Sequence, residues 1–203
     1  HKWISCSLSW KKERNASMKD LQFPFPYREG QREIVSGVYH TVSSKKTLFV
    51  QAPTGVGKTM SAIFPSVRAI GEGKGETLFY LTAKTITGTV AWEAFHTLRE
   101  NGLKFKVTAI TAKEKLCFLD SPECTPEKCP YAKGHFDRVN DAVYELWTTE
   151  EVYSREVIRA HAEKWQVCPF EMCLDLSVWV DGVICDYNYA FDPNVHLKRF
   201  FGE

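Results

Sequence analysis

The sequence lacks any apolar run near the roughly 20 residues that cross a bilayer, and its start lacks the basic, apolar and small-residue order of a signal peptide. It also lacks a charge excess, since 26 Lys and Arg face 25 Asp and Glu. We therefore expect a cytoplasmic protein without a membrane partner. The neutral balance does not exclude nucleic acid, because only the contacted surface needs to be basic.

Internal repeats are absent, and so is an initiating methionine: the chain starts at His1 and ends at Glu203. We read it as a segment of a longer polypeptide. Its 203 residues suffice for one domain with a small insertion. Seven cysteines in a cytosolic chain favour metal ligation or buried thiols over disulfides.

Hydrophobic periodicity predicts an α/β fold, with continuous apolar strands that indicate a parallel sheet covered by helices on both faces. Pro65 is an irregularity that should kink its helix or shift the boundary. Residues 113–135 contain three cysteines, three prolines and no strand-like run, and they begin a predicted insertion at 113–170. The predicted strands are 47–52, 77–82, 106–111 and 182–186, and the predicted helices are 1–20, 29–42, 58–70, 85–100, 136–147, 150–165 and 169–179.

A phosphate-binding loop is predicted between the first of these strands and the following helix. Its glycines let successive backbone N–H groups point at a β-phosphate, and the helix adds its positive dipole end. Lys58 would neutralise β- and γ-phosphate oxygens, and the Thr59 hydroxyl would bind Mg²⁺. The alternative is a chance glycine turn. The nucleotide-binding residues predicted here are Ala52, Pro53, Thr54, Gly55, Val56, Gly57, Lys58 and Thr59.

Two further segments carry weaker signals. Arg28 and Gln31, three residues apart at a helix start, could present donors and an amide to adenine, although the same pair is common on solvated helices. Thr82, Lys84 and Thr85 follow the second strand, where hydroxyls, a cation and a helix N-terminus suit DNA phosphates. Helix capping by Thr82 or Thr85 explains them equally well.

Four cysteines form the candidate metal site: Cys117, Cys124, Cys129 and Cys168, with six, four and thirty-eight residues between them. Four thiolates suit either tetrahedral Zn²⁺ or a [4Fe–4S] cluster. Structural zinc usually uses paired C-x₂₋₄-C knuckles, and a second pair exists here only if Cys173 joins Cys168. Scattered structural thiols are a third alternative. Cys185 lies in an apolar strand and reads as a buried hydrophobe, and Cys6 receives no role.

The chain resembles the XPD/DinG-type family of superfamily 2 iron–sulfur DNA helicases across about 21–203. The resemblance is carried by F-P-Y-R-E-G-Q at 25–31, A-P-T-G-V-G-K-T at 52–59, L-T-A-K-T at 81–85, the cysteine insertion after the third strand, and the tyrosine-rich segment at 186–193. The resemblance favours a cluster over zinc, because the Cys-Pro pairs at 129–130 and 168–169 flank a helical hairpin.

This resemblance implies a RecA-like motor domain with ATP and Mg²⁺, a [4Fe–4S] cluster, and 5′-to-3′ movement along single-stranded or forked DNA in a nucleoid-associated bacterial protein. The implied layout is an upstream helix at 1–20, motor domain at 21–112 and 171–203, and the cluster insertion at 113–170. Lys113, next to the first cysteine, becomes a candidate for strand phosphates, while Lys115 reads as a solvated residue. Protein partners are not indicated.

An Asp-Glu pair, which superfamily 2 hydrolysis needs for Mg²⁺ and the attacking water, is missing. Asp186 ends an apolar strand, but Tyr187 follows it, so we do not assign it as catalytic. By the family pattern the pair lies beyond Glu203. A non-catalytic, metal-stabilised P-loop module that binds nucleic acid is the alternative, and a small-molecule kinase is a second one that would need a lid and an acceptor-binding acid.

Overall fold

The computed structural model describes residues 2–83, 85–192 and 200, with backbone alone at 85–87. Its elements confirm the α/β class. The helices are α1 (Lys2–Lys19), α2 (Gln31–Ser43), α3 (Lys58–Gly71), α4 (Thr85–Glu100), α5 (Lys113–Leu116), α6 (His135–Thr149), α7 (Arg155–Trp165), α8 (Pro169–Ser177) and α9 (Asn188–Phe191), and the strands are β1 (Leu78–Thr82), β2 (Val107–Ala109), β3 (Val152–Tyr153) and β4 (Gly182–Asp186). None of the helices in the described part of the chain combines the length and apolar character that crossing a membrane requires.

The chain divides into two compact units, the first comprising residues 1–80 and 84–105. Helix α3 is its centre, since α1, α2 and α4 all pack against it. Val67 of α3 is fully buried. A Cβ atom at Gly71 would come within 2.6 Å of the Met18 sulfur of α1, so glycine permits the close approach of these two helices. At the other side of the unit, Phe95 of α4 stacks on Phe105 at 5.5 Å.

The second unit comprises residues 81–83 and 106–203 and contains most of the sheet, whose strand order is β1-β4-β2-β3. Strand β2 pairs in parallel with both β3 and β4, as predicted from the continuous apolar runs. Helices α6, α7 and α8 pack against one another in this unit. The boundaries of the predicted insertion, 113 and 170, both fall inside it and stay a prediction.

The predicted strand at 47–52 is wrong. The structure assigns no strand there, and Leu48, Phe49 and Val50 are exposed, with Phe49 at 92%. A strand is stable only when a neighbour satisfies its N–H and C=O groups, and the described sheet pairs its strands without this segment. The β-prone composition of the run was correct as a propensity, but propensity does not supply a partner.

Three other differences are local. Helix α3 continues through Pro65, so the expected boundary shift does not occur. The predicted strand at 106–111 is only three residues long in β2. The predicted helix at 150–165 is divided into the two-residue strand β3 and helix α7, which Ser154 caps by accepting the Val157 N–H at 3.2 Å.

Lys106 joins the sheet to the C-terminus of α6. Only 4% of its surface is exposed, and its ammonium donates to the carbonyls of Trp147 (2.7 Å) and Glu150 (2.8 Å). Its backbone N–H donates to the Asp181 carboxylate at 2.9 Å. The last carbonyls of a helix have no partner within it, so a buried cation placed there satisfies them and fixes α6 on β2.

We predict that Lys106→Met destabilises the protein by about 2 kcal/mol, because the Trp147 and Glu150 carbonyls lose a charged donor, although the Tyr153 hydroxyl still donates to both. Urea denaturation followed by circular dichroism would measure this loss. The control is Lys164→Met, which removes an exposed ion pair with Glu145 in the same unit and should change little. Equal effects of the two substitutions would contradict the capping role of Lys106.

Candidate functional site

The predicted phosphate loop forms a glycine turn that leads directly into α3. Gly55 and Gly57 have φ angles of 88° and 80°, which are left-handed, and Gly57 precedes the first residue of the helix. Residues with side chains avoid this backbone region at a cost of about 1–2 kcal/mol. The turn borders a cavity of about 530 Å³, which is lined by Arg28, Glu29, Gly30, Ile34, Gln51, Ala52, Pro53, Thr54, Gly55 and Val56.

Lys58 and Thr59 are both engaged within the first unit. The Lys58 ammonium donates to the carbonyl oxygens of Ala52 (2.7 Å) and Pro53 (3.1 Å), so the loop folds back over its own lysine. The Thr59 hydroxyl lies 3.2 Å from the hydroxyl of Tyr80. The sequence motif gave no indication of the Tyr80 contact, since Tyr80 belongs to the next strand.

Gln31 links the segment around Arg28 to the phosphate loop. It is 3% exposed; its Oε1 accepts the Arg28 N–H at 3.0 Å, and its Nε2 donates to the Gly57 carbonyl at 3.5 Å. The Arg28 guanidinium donates to the Gly55 carbonyl. The structure thus brings the predicted Arg28–Gln31 pair and the predicted loop together. In the structure the polar groups of these two residues contact the loop. Their predicted hydrogen bonds to adenine therefore stay a prediction.

The four candidate metal ligands lie around one cavity of about 300 Å³ in the second unit. Cys117 follows α5, Cys124 and Cys129 lie in the loop before α6, and Cys168 precedes the first turn of α8. Cys117 Sγ accepts the Leu119 N–H at 3.4 Å. Among the described residues, no group of three or more His, Cys, Asp or Glu side chains is arranged to hold a metal ion.

The other two cysteines of this unit lie away from the cavity. Cys173 is 1% exposed on α8, and its thiol lies 3.5 Å from the Ala109 carbonyl. Burial raises the pKa of this thiol to about 12. Cys185 is 3% exposed in β4, and burial raises its pKa to about 11. Both are therefore buried thiols, and neither lines the cavity around which the four candidate ligands lie.

Lys113 and the first turn of α8 interact with thiols of the cavity. Lys113 lies beside Cys124, and its hydrogen bond with that thiol is the largest of the effects that raise the lysine pKa. Burial raises the pKa of Cys168, and the Glu171 and Phe170 N–H groups in the first turn of α8 oppose this rise. The structure thus places Lys113 among the thiols, and its contact with DNA stays a prediction. Lys115 is exposed, as expected.

Two side chains that the sequence analysis missed hold the backbone of the cysteine segments. Arg159 of α7 donates to the carbonyls of Leu116 (2.6 Å) and Cys117 (2.9 Å), and its guanidinium lies over the Phe118 ring. The ring of His135, at the start of α6, accepts the Cys168 N–H on Nδ1 at 3.1 Å. Both contacts join residues more than 30 positions apart, so no local pattern could reveal them.

The remaining candidates are placed as follows. Thr82 ends β1, is 7% exposed, and its carbonyl accepts the Tyr187 N–H at 3.1 Å. Lys84 lies outside the described residues, as does the side chain of Thr85. Asp186 Oδ1 accepts the Asn188 N–H at 2.8 Å in the turn after β4, and the absence of a catalytic role for Asp186 stays a prediction.

Comparison with known proteins shows that the fold is similar to that of a truncated XPD, which confirms the expected resemblance at the level of the fold. In particular, the structure of a truncated XPD matches 86% of this chain with a TM-score of 0.50 and 15% identity. A curated relative, a probable ATP-dependent helicase of Methanocaldococcus jannaschii, is 40% identical over 47 residues, or 23% of the chain. No family profile matches the chain.

The chain spans 48% of that truncated XPD, and the matched segment is 7% of the curated relative. The low identity to the solved structure makes that similarity one of fold alone.

We predict that Gly57→Ala lowers the free energy of unfolding by about 2 kcal/mol, since it combines left-handed strain with a Cβ 2.6 Å from Gln31 Nε2. Gly55→Ala should cost about 1 kcal/mol from strain alone, because nothing lies within 4 Å of its Cβ position. Thermal denaturation would compare the two. Gly37→Ala within α2 is the control and should be neutral or stabilising. A Gly57 variant as stable as the Gly37 variant would contradict this geometry.

Proposed function

We propose that this chain is the nucleotide-binding and cluster-bearing part of an ATP-dependent DNA helicase that moves 5′ to 3′ on single-stranded or forked DNA. The observation that carries the proposal is the occurrence of a glycine phosphate loop and a four-cysteine cavity in one chain with an XPD-type fold. The helicase name of the curated relative supports the same class.

In the nucleotide site, the backbone N–H groups of the glycine turn and the first turn of α3 bind the β-phosphate. Lys58 leaves the Ala52 and Pro53 carbonyls and neutralises β- and γ-phosphate oxygens. Thr59, whose hydroxyl lies 3.2 Å from that of Tyr80, would hold Mg²⁺, which would neutralise charge on the phosphates. The phosphates thus compete with carbonyl oxygens for one ammonium, and a charged partner provides the stronger hydrogen bond.

Gln31 acts in this proposal as the support of the loop. Its amide oxygen accepts from the Arg28 N–H, and its amide nitrogen donates to the Gly57 carbonyl. It thereby fixes the position of Arg28, on the proposed adenine side, relative to the phosphate loop. Arg28, exposed beside the cavity, is free to turn its guanidinium from the Gly55 carbonyl toward a bound nucleotide. These two residues, with 52–59, form the proposed ATP site.

In the metal site, Cys117, Cys124, Cys129 and Cys168 are the proposed ligands of a [4Fe–4S] cluster. Four thiolates suit either a single zinc ion or a [4Fe–4S] cluster, and we propose the cluster because the family resemblance of the Cys-Pro pairs at 129–130 and 168–169 favours it. A cluster spreads four thiolates over four irons, which fits thiols distributed around a cavity of about 300 Å³. When bound, the cluster supplies iron–thiolate bonds that cross-link the segments before α6 and α8.

For DNA, the proposed contacts are Thr82, Lys84, Thr85 and Lys113. The reason is chemical: hydroxyls, ammonium groups and the N-terminus of α4 suit phosphate oxygens. Lys113 would then have two partners: the Cys124 thiol beside which it lies, and a phosphate of the DNA strand.

A second candidate function is a non-catalytic P-loop module that binds nucleic acid. The observation that favours it is Asp186, which is followed by Tyr187 and already accepts the Asn188 N–H. The Asp-Glu pair that positions Mg²⁺ and water is thereby absent from this strand end. For the 203-residue chain by itself, we propose nucleotide binding without turnover.

We predict that the chain binds Mg-ATP weakly and that Lys58→Ala weakens this binding at least about tenfold, as expected for a lost charged hydrogen bond. Isothermal titration calorimetry would measure the affinity. Lys46→Ala, an exposed lysine upstream of the loop, should leave it unchanged. Steady ATP hydrolysis that Lys58→Ala abolishes would contradict the proposed lack of turnover in this chain.

We also predict that the chain purified without oxygen is brown, contains iron and acid-labile sulfide, and absorbs near about 400 nm. Cys124→Ser should remove most of the iron and sulfide. Cys173→Ser should keep both, because Cys173 lies outside the cavity. Stoichiometric zinc without sulfide in the unsubstituted chain would refute the cluster.

A further inference from the structure

His135 is a buried imidazole at the cysteine cavity. It is the first residue of α6, only 4% of its surface is exposed, and it lines the same cavity as the four thiols. Its Nδ1 accepts the backbone N–H of Cys168 at 3.1 Å. An acceptor nitrogen carries no proton, so the ring is the neutral tautomer with its proton on Nε2.

The first turn of α6 holds the segment before Cys168 at further points. Arg138, three residues after His135, donates from Nε to the Trp165 carbonyl at 2.9 Å and from Nη2 to the Gln166 carbonyl at 2.6 Å. The chain from 165 to 168 is therefore fixed at three positions (165, 166 and 168) by one helical turn. Of these contacts, the His135 contact is the one made to a candidate ligand residue.

The same turn is connected to the third cysteine. The Cys129 carbonyl accepts the N–H groups of Ala132 (3.1 Å) and Lys133 (3.2 Å), and the His135 N–H donates to the Ala132 carbonyl at 3.2 Å. Continuous hydrogen-bonded turns thus run from Cys129 to His135, and the imidazole then crosses to Cys168. Arg138 also joins the two segments, since its Nη2 donates to the carbonyls of Lys133 (2.8 Å) and Gln166 (2.6 Å), but the His135 ring makes its contact with Cys168 itself.

We propose that His135 is a positioning residue of the metal site: its Nδ1 fixes the Cys168 backbone so that this thiol faces the cavity before metal binds. The inference rests on the proposed cluster. It adds that the ligand geometry is preset by a protein hydrogen bond across 33 residues rather than formed by the metal alone. Partners that orient metal ligands typically contribute 10–100-fold to metal affinity, so removing the acceptor should accelerate cluster loss by at least about tenfold.

The experiment compares four variants of the full chain purified without oxygen: His135→Asn, His135→Gln, His135→Ala and His161→Asn. The Asn oxygen occupies nearly the place of Nδ1 and can accept the Cys168 N–H, whereas the Gln amide extends past that place. His161 is the matched control, since it belongs to the same unit and its Nδ1 contacts the Val157 carbonyl of its own helix. The readouts are the iron and sulfide content of each variant and the rate at which an iron chelator removes its absorbance at about 400 nm.

The proposal expects bleaching at the unsubstituted rate for His135→Asn and His161→Asn, and at least about tenfold faster bleaching for His135→Gln and His135→Ala. If circular dichroism shows that His135→Ala does not fold, the comparison of His135→Asn with His135→Gln still tests the proposal. Equal rates for those two, whether slow or fast, overturn the proposal. An unsubstituted chain without iron and sulfide overturns the underlying cluster instead, so the two failures are distinguishable.

Discussion

The arrangement of the cysteine cavity depends on long-range hydrogen bonds made by side chains of α6 and α7. Within residues 113–135 only Leu116, Cys129 and His135 are buried, which is too little apolar surface to fix a loop by packing. Arg159 of α7 holds the backbone before and at Cys117, and His135 holds Cys168. Helices α6 and α7 thus do for this segment what a core does elsewhere, and a metal group would complete it.

In the phosphate loop, the side chains that we assign to ATP and Mg²⁺ have protein oxygens as their present partners. Lys58 is bonded to two loop carbonyls, and Thr59 lies beside the Tyr80 hydroxyl. Each group that we assign to nucleotide or Mg²⁺ is therefore satisfied by a neutral oxygen in the described structure. In the proposed nucleotide complex a triphosphate would replace these partners with charged ones, and the first residues of α3 are helical without it. Gly57, beside Gln31, keeps that turn in the required backbone region.

Sequence reasoning located what is local. The glycine turn ahead of α3, the four helices of the first unit, and β4 with its buried Cys185 all follow from short-range pattern. It failed where a distant partner decides. Residues 47–52 have strand composition but no neighbouring strand in the described sheet. The roles of His135, Arg159 and Tyr80 depend on contacts between residues far apart in the chain, which a single sequence cannot display.

The central claim is that four thiols around one cavity bind a single polynuclear iron–sulfur group. Iron X-ray absorption spectroscopy on the anaerobically purified chain tests it most directly, since scattering separates iron bound to sulfur from iron that also has iron neighbours. We expect sulfur to be the only element bonded directly to iron, together with clear scattering from neighbouring iron atoms. A spectrum with nitrogen or oxygen ligands, or sulfur ligation without iron–iron scattering, would contradict it.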